Sequence, residues 1–138
     1  MNIQKTINIL SLLFLFSLTS NAQNSKYVGT WTLVKSPIKD KCAKKQDIIL
    51  REDGTATYVF GKDGGGCKKK VQEFKTWKVE TKEFKRRKKS IKKTVLVIGE
   101  NKSIIFYIEK KKRNSLTVTT DLTSGDTTKD ALITFKKS

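Results

Sequence analysis

Short runs in which apolar and polar residues alternate are the main pattern along this chain. Alternation with a period of two is typical of β-strands that bury one face, and no run has the spacing of an amphipathic helix. We predict eight strands, at about residues 28–36, 46–51, 55–60, 72–80, 93–98, 103–109, 115–121 and 130–136. The pattern therefore predicts an all-β fold.

The connections between these runs are short and rich in turn residues. Asp53-Gly54 lies between two β-rich runs, which is the strongest local signal of a β-hairpin. Eight antiparallel strands in this order form either a closed up-and-down barrel or a two-sheet sandwich. Because nearly every connection has hairpin length, we expect the up-and-down barrel. A barrel of eight strands is just filled by its side chains or holds one small ligand.

The first 22 residues have the pattern of a removable leader. Lys5 supplies a positive start, residues 7–18 are mostly apolar, and Ala22 is a small residue suited to cleavage. The alternative, a transmembrane anchor, needs a longer apolar run. We therefore expect a signal peptide at 1–22 and one exported domain at 23–138, without a membrane span, in the periplasm or outside the cell.

The exported part is strongly basic. Loss of Lys5 with the leader lowers the formal charge from +17 to +16. Such a charge favours polyanionic neighbours, although lysines at alternating strand positions also make a soluble outer face.

The densest basic segment is residues 82–93, which we expect to be a long loop or a protruding hairpin end. It is either a solvated segment or the contact surface for an anionic partner: polysaccharide, lipid head groups or nucleic acid. The candidate contacts are Lys85, Arg86, Arg87, Lys88 and Lys89.

The two cysteines, Cys42 and Cys67, both lie in the exported part. In that compartment one disulfide is expected rather than two free thiols, and it would close a loop of about 25 residues. The chain-entropy relation assigns such a bridge roughly 3 kcal/mol. Gly64-Gly65-Gly66 precedes Cys67 without the spacing or the helix of a phosphate-binding loop, so we expect a hairpin tip there.

The residue types argue against catalysis. The chain has no histidine, which excludes histidine triads, histidine bases and histidine metal ligands. Two cysteines alone do not make a zinc site, and Glu52 and Asp53 diverge into water from one turn. Asp121, Asp126 and Asp130 surround a turn without the spacing of an EF-hand. We expect a protein that binds rather than reacts, with no metal and no cofactor.

Three short motifs resemble the lipocalin-like proteins of the calycin group, and more narrowly the short exported lipocalin-like domains common in Bacteroidetes. They are Val28-Gly29-Thr30-Trp31-Thr32-Leu33, Leu50-Arg51-Glu52-Asp53-Gly54-Thr55-Ala56 and Phe74-Lys75-Thr76-Trp77-Lys78-Val79. In such a barrel Gly29 lets the backbone bend into the first strand and Trp31 fills the closed end. The resemblance covers the whole exported part.

The chain also departs from that family. Larger lipocalins pack a basic residue near the final strand on the tryptophan, and the candidates here are Lys136 and Lys137. The C-terminal helix of those proteins has no counterpart before Ser138. Strands of about seven residues predict a shallow barrel.

The resemblance implies a monomeric carrier with a small apolar ligand inside the barrel. The alternative is a filled barrel whose basic surface does the binding, since a domain of this size needs many large side chains simply to fold. The predicted inward side chains are Trp31, Leu33, Tyr58, Phe60, Trp77, Val79, Phe106, Ile108, Val118 and Phe135.

Overall fold

The computed structural model describes residues 24–120 and 132–138, which form one antiparallel sheet of nine strands. The order across the sheet is β4-β3-β2-β1-β9-β8-β7-β6-β5. This confirms the all-β fold. The strands are β1 (Gly29–Lys35), β2 (Gln46–Leu50), β3 (Ala56–Phe60), β4 (Lys70–Phe74), β5 (Trp77–Arg86), β6 (Lys89–Ile98), β7 (Ile104–Lys112), β8 (Ser115–Thr119) and β9 (Ile133–Lys137).

The predicted eight-stranded barrel is not what the sheet forms. The strand expected at 72–80 is interrupted at Lys75 and Thr76, which gives β4 and β5 and raises the count to nine. β4 pairs with β3 and β5 pairs with β6, but β4 and β5 are the two ends of the described sheet, so it is not closed. The chain changes partner here: the Thr76 carbonyl accepts a hydrogen bond from the Gly99 amide at 2.9 Å.

The first and last strands lie side by side, a pairing that the expected up-and-down barrel also requires. β1 pairs with β9 in a register that sets Trp31 opposite Lys137 and Leu33 opposite Phe135. The predicted hairpin at Asp53-Gly54 is confirmed between β2 and β3, where Leu50 lies opposite Ala56.

One hydrophobic core is formed by side chains from strands β1 to β9. Trp31, Ile48, Leu96, Ile98 and Phe135 are almost completely buried within it. Because these residues come from both halves of the sheet, the sheet must curve around them. At the usual 25 cal/mol per Å² of apolar surface, each fully buried aliphatic or aromatic side chain contributes about 1.5–3 kcal/mol.

Residues 95–98 of β6 are buried on both faces, as this continuous apolar run predicts. Leu96 and Ile98 point into the core, and the intervening Val95 and Val97 are buried on the opposite face. On that outer face Val95 lies opposite Tyr107 of β7.

Residues 82–93 form the protruding end of a hairpin. Of the two structures expected for this segment, the hairpin end is confirmed and the long loop is wrong. β5 and β6 stay paired from Trp77 and Ile98 to Arg86 and Lys89, with the turn at Arg87 and Lys88. β7 pairs with β6 only over residues 94–98. The outer half of the hairpin is therefore a two-stranded ribbon without a third strand in the described sheet, and we call residues 82–93 the basic ribbon.

The disulfide between Cys42 and Cys67 is present, with Cα atoms 5.5 Å apart. Cys42 begins a short 3-10 turn, Cys42–Lys44. Cys67 exchanges two backbone hydrogen bonds with Gly64 across a tight turn. Gly65 and Gly66 occupy its centre with φ of +62° and +84°, a conformation that favours glycine. A bridge of this kind indicates a non-reducing environment.

Two predictions fall outside the described residues: the leader at 1–22 and the acidic turn with Asp121, Asp126 and Asp130. Among the residues that are described, no helix has the length and hydropathy needed to cross a membrane.

Candidate functional site

The ten predicted inward residues do not all have the same burial. Tyr58 is only partly buried against the core, and Phe60 is half-buried and does not belong to the core cluster. The other eight are buried together, and they are Trp31, Leu33, Trp77, Val79, Phe106, Ile108, Val118 and Phe135.

The centre of the core is tightly packed. Trp31, Leu96 and Val118 have no exposed surface, and Phe135 has 1%. The rings of Phe106 and Phe135 meet edge to face with centroids 6.0 Å apart. A side chain beside a cavity large enough for a ligand has surface that a water-sized sphere can reach. These side chains have none, so no ligand-sized space lies against them.

Tyr58 and Gln46 form a polar pair at the border of the core. The Tyr58 hydroxyl donates to Gln46 Oε1, and Gln46 Nε2 donates to the Ala43 carbonyl at 2.8 Å. Burial raises the pKa of Tyr58 to about 12. Since each polar atom has a partner, the pair fixes the 3-10 turn onto β2 and β3 rather than presenting a reactive group.

Carboxylates hold the lysines at the base of the basic ribbon. Lys93 Nζ lies 2.7 Å from a Glu109 oxygen, and Lys82 Nζ lies 3.4 Å from a Glu80 oxygen. Glu80 also pairs with Lys78 at 3.3 Å. Partial burial raises the pKa of Glu80, but the hydrogen bonds and charges of the two lysines outweigh it and the net shift is downward.

The tip of the ribbon carries cations without such partners. Glu83, the one acidic residue of the ribbon, accepts a hydrogen bond from Ser90. In the described part of the chain no carboxylate pairs with the exposed side chains of Lys85, Arg87, Lys88, Lys89 and Lys92. The structure therefore brings four of the five predicted contact residues together on one exposed tip, and it places the fifth, Arg86, in the last position of β5.

An apolar pair interrupts the charges on the outer face of the ribbon. Phe84 lies opposite Ile91, and the Phe84 ring contacts the Tyr107 ring edge to face at 5.8 Å. Ile91 is 37% exposed. Since Phe84 is held by Tyr107 and half-buried, it helps to fix the ribbon to β7 rather than offering a free aromatic surface.

A second group of cations lies over Trp31. Lys137 Nζ is 5.7 Å from the centroid of the Trp31 ring, and Lys111 Nζ is 5.2 Å from it. Lys137 was one of the two lysines that the resemblance named for this position. Lys111 was missed because the predicted strand ended at about residue 109, whereas β7 continues to Lys112. Among 30 basic residues, no local signal singles it out.

A shallow groove of about 350 Å³ lies beside the disulfide. Lys45, Lys62 and Lys69 line it together with Asp47. The Asp47 carboxylate partly offsets the three lysines, so the groove is less suited to an anion than the ribbon or the Trp31 region.

The described residues bring no three histidine, cysteine, aspartate or glutamate side chains together in a way that could hold a metal ion. Comparison of the chain with protein-family models, with curated proteins and with solved structures found no match.

Proposed function

We propose that this chain is an exported, lipocalin-like binding protein whose basic ribbon binds an acidic polysaccharide. The observation that carries the proposal is the set of exposed cations at the ribbon tip, which have no carboxylate partner among the described residues. Unpaired ammonium and guanidinium groups on a protruding element attract polyanions over a distance of about a Debye length.

The lipocalin-like part of the proposal is supported by the surroundings of Trp31. A basic residue of the last strand, Lys137, lies over the tryptophan of the first strand, which is the arrangement that the family resemblance implies. The strand order follows the chain as a meander, apart from the break between β4 and β5. The disulfide Cys42–Cys67 supports export.

Binding through the surface is favoured over a ligand in the interior. The absence of exposed surface on Trp31, Leu96 and Val118 supports a filled core. The chain also lacks histidine, and the polar pair Tyr58 and Gln46 is fully engaged, which supports binding without catalysis.

Among anionic partners, the ribbon fits a polysaccharide best. Binding of single-stranded nucleic acid uses several exposed aromatic rings for base stacking, whereas Phe84 is engaged with Tyr107. Insertion into a lipid surface needs a larger apolar patch than Ile91 provides. Sulfate or carboxylate groups along a sugar chain require only the array of cations.

The test compares two variants with the same net charge. The ribbon variant replaces Lys85, Arg87, Lys88 and Lys89 with glutamine. The control variant replaces four exposed residues elsewhere, Lys39, Lys41, Lys44 and Lys62, with glutamine.

On a heparin column the ribbon variant should elute at much lower salt than the wild type, and the control variant close to the wild type. The plot of log K against log salt has a negative slope, and this slope should be less steep by about three for the ribbon variant. Each of the four removed cations releases a counterion that contributes about 0.7–0.9 to the slope. Equal elution of the two variants would show that net charge alone governs retention and would overturn the proposal.

Parallel measurements with phosphatidylglycerol vesicles and with single-stranded DNA distinguish the other anionic partners. Tighter, ribbon-dependent binding to either of these would replace the polysaccharide. Stoichiometric uptake of a fatty acid or a hydrophobic dye by all variants would instead support the carrier function that the resemblance implied.

A further inference from the structure

Two ammonium groups lie over one indole ring. Nζ of Lys111 is 5.2 Å and Nζ of Lys137 is 5.7 Å from the centroid of the Trp31 ring, and Lys111 Nζ is also 5.7 Å from the Tyr27 centroid. The aromatic surface is rigid, because Trp31 Nε1 donates to the Tyr27 carbonyl at 2.8 Å and both side chains are buried. The two ammonium groups therefore lie against an aromatic ring whose position is fixed.

The cations over Trp31 are not neutralised by the protein. Burial lowers the pKa of Lys111, and the charges of Lys137 and Lys26 lower it further. No ion pair joins Lys26, Lys111 or Lys137 to a carboxylate in the part of the chain that the structure describes. Lys111 Nζ instead donates to the Lys112 carbonyl at 2.5 Å. Two like charges thus lie at the same ring without a carboxylate, whereas the ribbon base pairs its lysines with Glu80 and Glu109.

The attraction of the ring does not by itself offset this repulsion. A cation over an aromatic ring gains only a small attraction at an exposed site. Two unit charges held close together at a protein surface repel each other by an energy of similar or larger size. A doubly charged anion between the ammonium groups attracts each of them, which outweighs their mutual repulsion, and it accepts charge-assisted hydrogen bonds.

We propose that Lys111 and Lys137 form a binding site for a tetrahedral oxyanion, a phosphate or sulfate group, beside Trp31 and Tyr27. This site is separate from the basic ribbon, and each can be tested without the other. The group could be the free ion or the terminal ester of a larger molecule, since both present the same oxygens.

The experiment titrates the protein with inorganic phosphate at pH 8 and low ionic strength, followed by NMR of the lysine ¹³Cε signals. Lys111→Gln should weaken phosphate binding about fivefold or more, because one of the two charge-assisted contacts is lost. Lys110→Gln, an exposed neighbour on β7 with the same change of charge, should weaken it less than about twofold. In the wild type, phosphate should raise the pKa of Lys111.

A second pair of variants keeps the test possible if the first variant misfolds. If Lys111→Gln does not fold, Lys137→Gln takes its place, with the exposed Lys136→Gln as its control. The ribbon variant described above should bind phosphate as the wild type does. Sulfate and methyl phosphate titrations distinguish the ion from the ester group. Equal weakening in a variant and its control, or no saturation with phosphate, sulfate or methyl phosphate, would overturn the site.

Discussion

The backbone of Gly29 lies directly against the side chain of Lys137. A Cβ atom on Gly29 would be 2.6 Å from Lys137 Cε, closer than two carbon atoms can approach. Gly29 also has a φ of +140°, in the region that favours glycine. The glycine two residues before Trp31 therefore makes room for the lysine chain that crosses the tryptophan.

Gly29→Ala should destabilise the protein by about 1–3 kcal/mol, mainly through the strained φ and to a smaller extent because the flexible end of the Lys137 chain must move. In a Lys137→Ala background the cost should fall, since only the backbone strain remains. Urea unfolding of the single and double variants measures the difference. Gly54→Ala is the matched control, because it has a φ of +88° and open space around it; its cost should be the same in both backgrounds. An unchanged cost of Gly29→Ala in the Lys137→Ala background would contradict the packing argument.

Trp31→Ala should cost roughly 3–5 kcal/mol of stability. The ring has no exposed surface, and its removal leaves a cavity that the surrounding strands cannot fill. Val34→Ala, on the same strand but 52% exposed, should change stability by less than about 0.5 kcal/mol. The measurement is again chemical unfolding, and a Trp31→Ala cost as small as that of Val34→Ala would show that the ring does not support the core.

Replacement of Cys42 and Cys67 by serine should cost about 3 kcal/mol. The bridge spans 25 positions, and its loss restores the freedom of that loop in the unfolded chain. The melting temperature of the double variant should equal that of the wild type under reducing conditions. A difference between those two would mean that the serines or the reductant act on something besides the bridge.

Alkaline stability should depend on Tyr58. Its pKa is raised to about 12 by burial, from 10 for a free tyrosine, so the unfolded chain loses this proton first as the pH rises. Stability from this group is complete below pH 10 and is lost between about pH 10 and pH 12, by roughly 2–3 kcal/mol.

Tyr58→Phe should remove this part of the alkaline destabilisation, while the lysines contribute equally to both proteins. Urea unfolding at several pH values tests this prediction, and the difference in tyrosinate absorbance between the wild type and Tyr58→Phe gives the pKa of Tyr58, since the chain has three tyrosines. If Tyr58→Phe loses stability as steeply as the wild type above pH 10, the alkaline loss of stability does not come from Tyr58.

Local patterns predicted the parts of this fold that depend on local structure. The hairpin at Asp53-Gly54, the two-sided burial of β6 and the Cys42–Cys67 bridge follow from alternation, turn residues and compartment. The interruption at Lys75 and Thr76 was missed although the apolar pattern changes phase there: Phe74 and Trp77 are three positions apart and would lie on opposite faces of one continuous strand, yet both are in the core. Only the change of partner from β3 to β6 produces it.

The sequence left open whether residues 82–93 form a loop or a hairpin, and it did not predict Lys111 over Trp31. Both strands of the ribbon are polar, and its turn has Arg87 with a φ of +53° instead of the usual glycine or asparagine. Cross-strand neighbours such as Phe84 and Ile91 reveal the hairpin only once its register is known. Lys111 reaches Trp31 through the pairing of distant strands, so its role depends on tertiary structure rather than on sequence spacing.

β5 is an end strand of the described sheet and pairs there with β6 alone. Near its start, the Val79 amide donates to Asn24 Oδ1 at 3.2 Å, but farther out the ribbon edge is protected mainly by its positive charge. A bound polyanion would neutralise this charge. It would thereby remove the repulsion that keeps the β5 edges of two copies of the protein apart. A long acidic polymer could thus align successive copies of this protein edge to edge, so that the ligand itself acts as the template for a β-sheet continued across molecules.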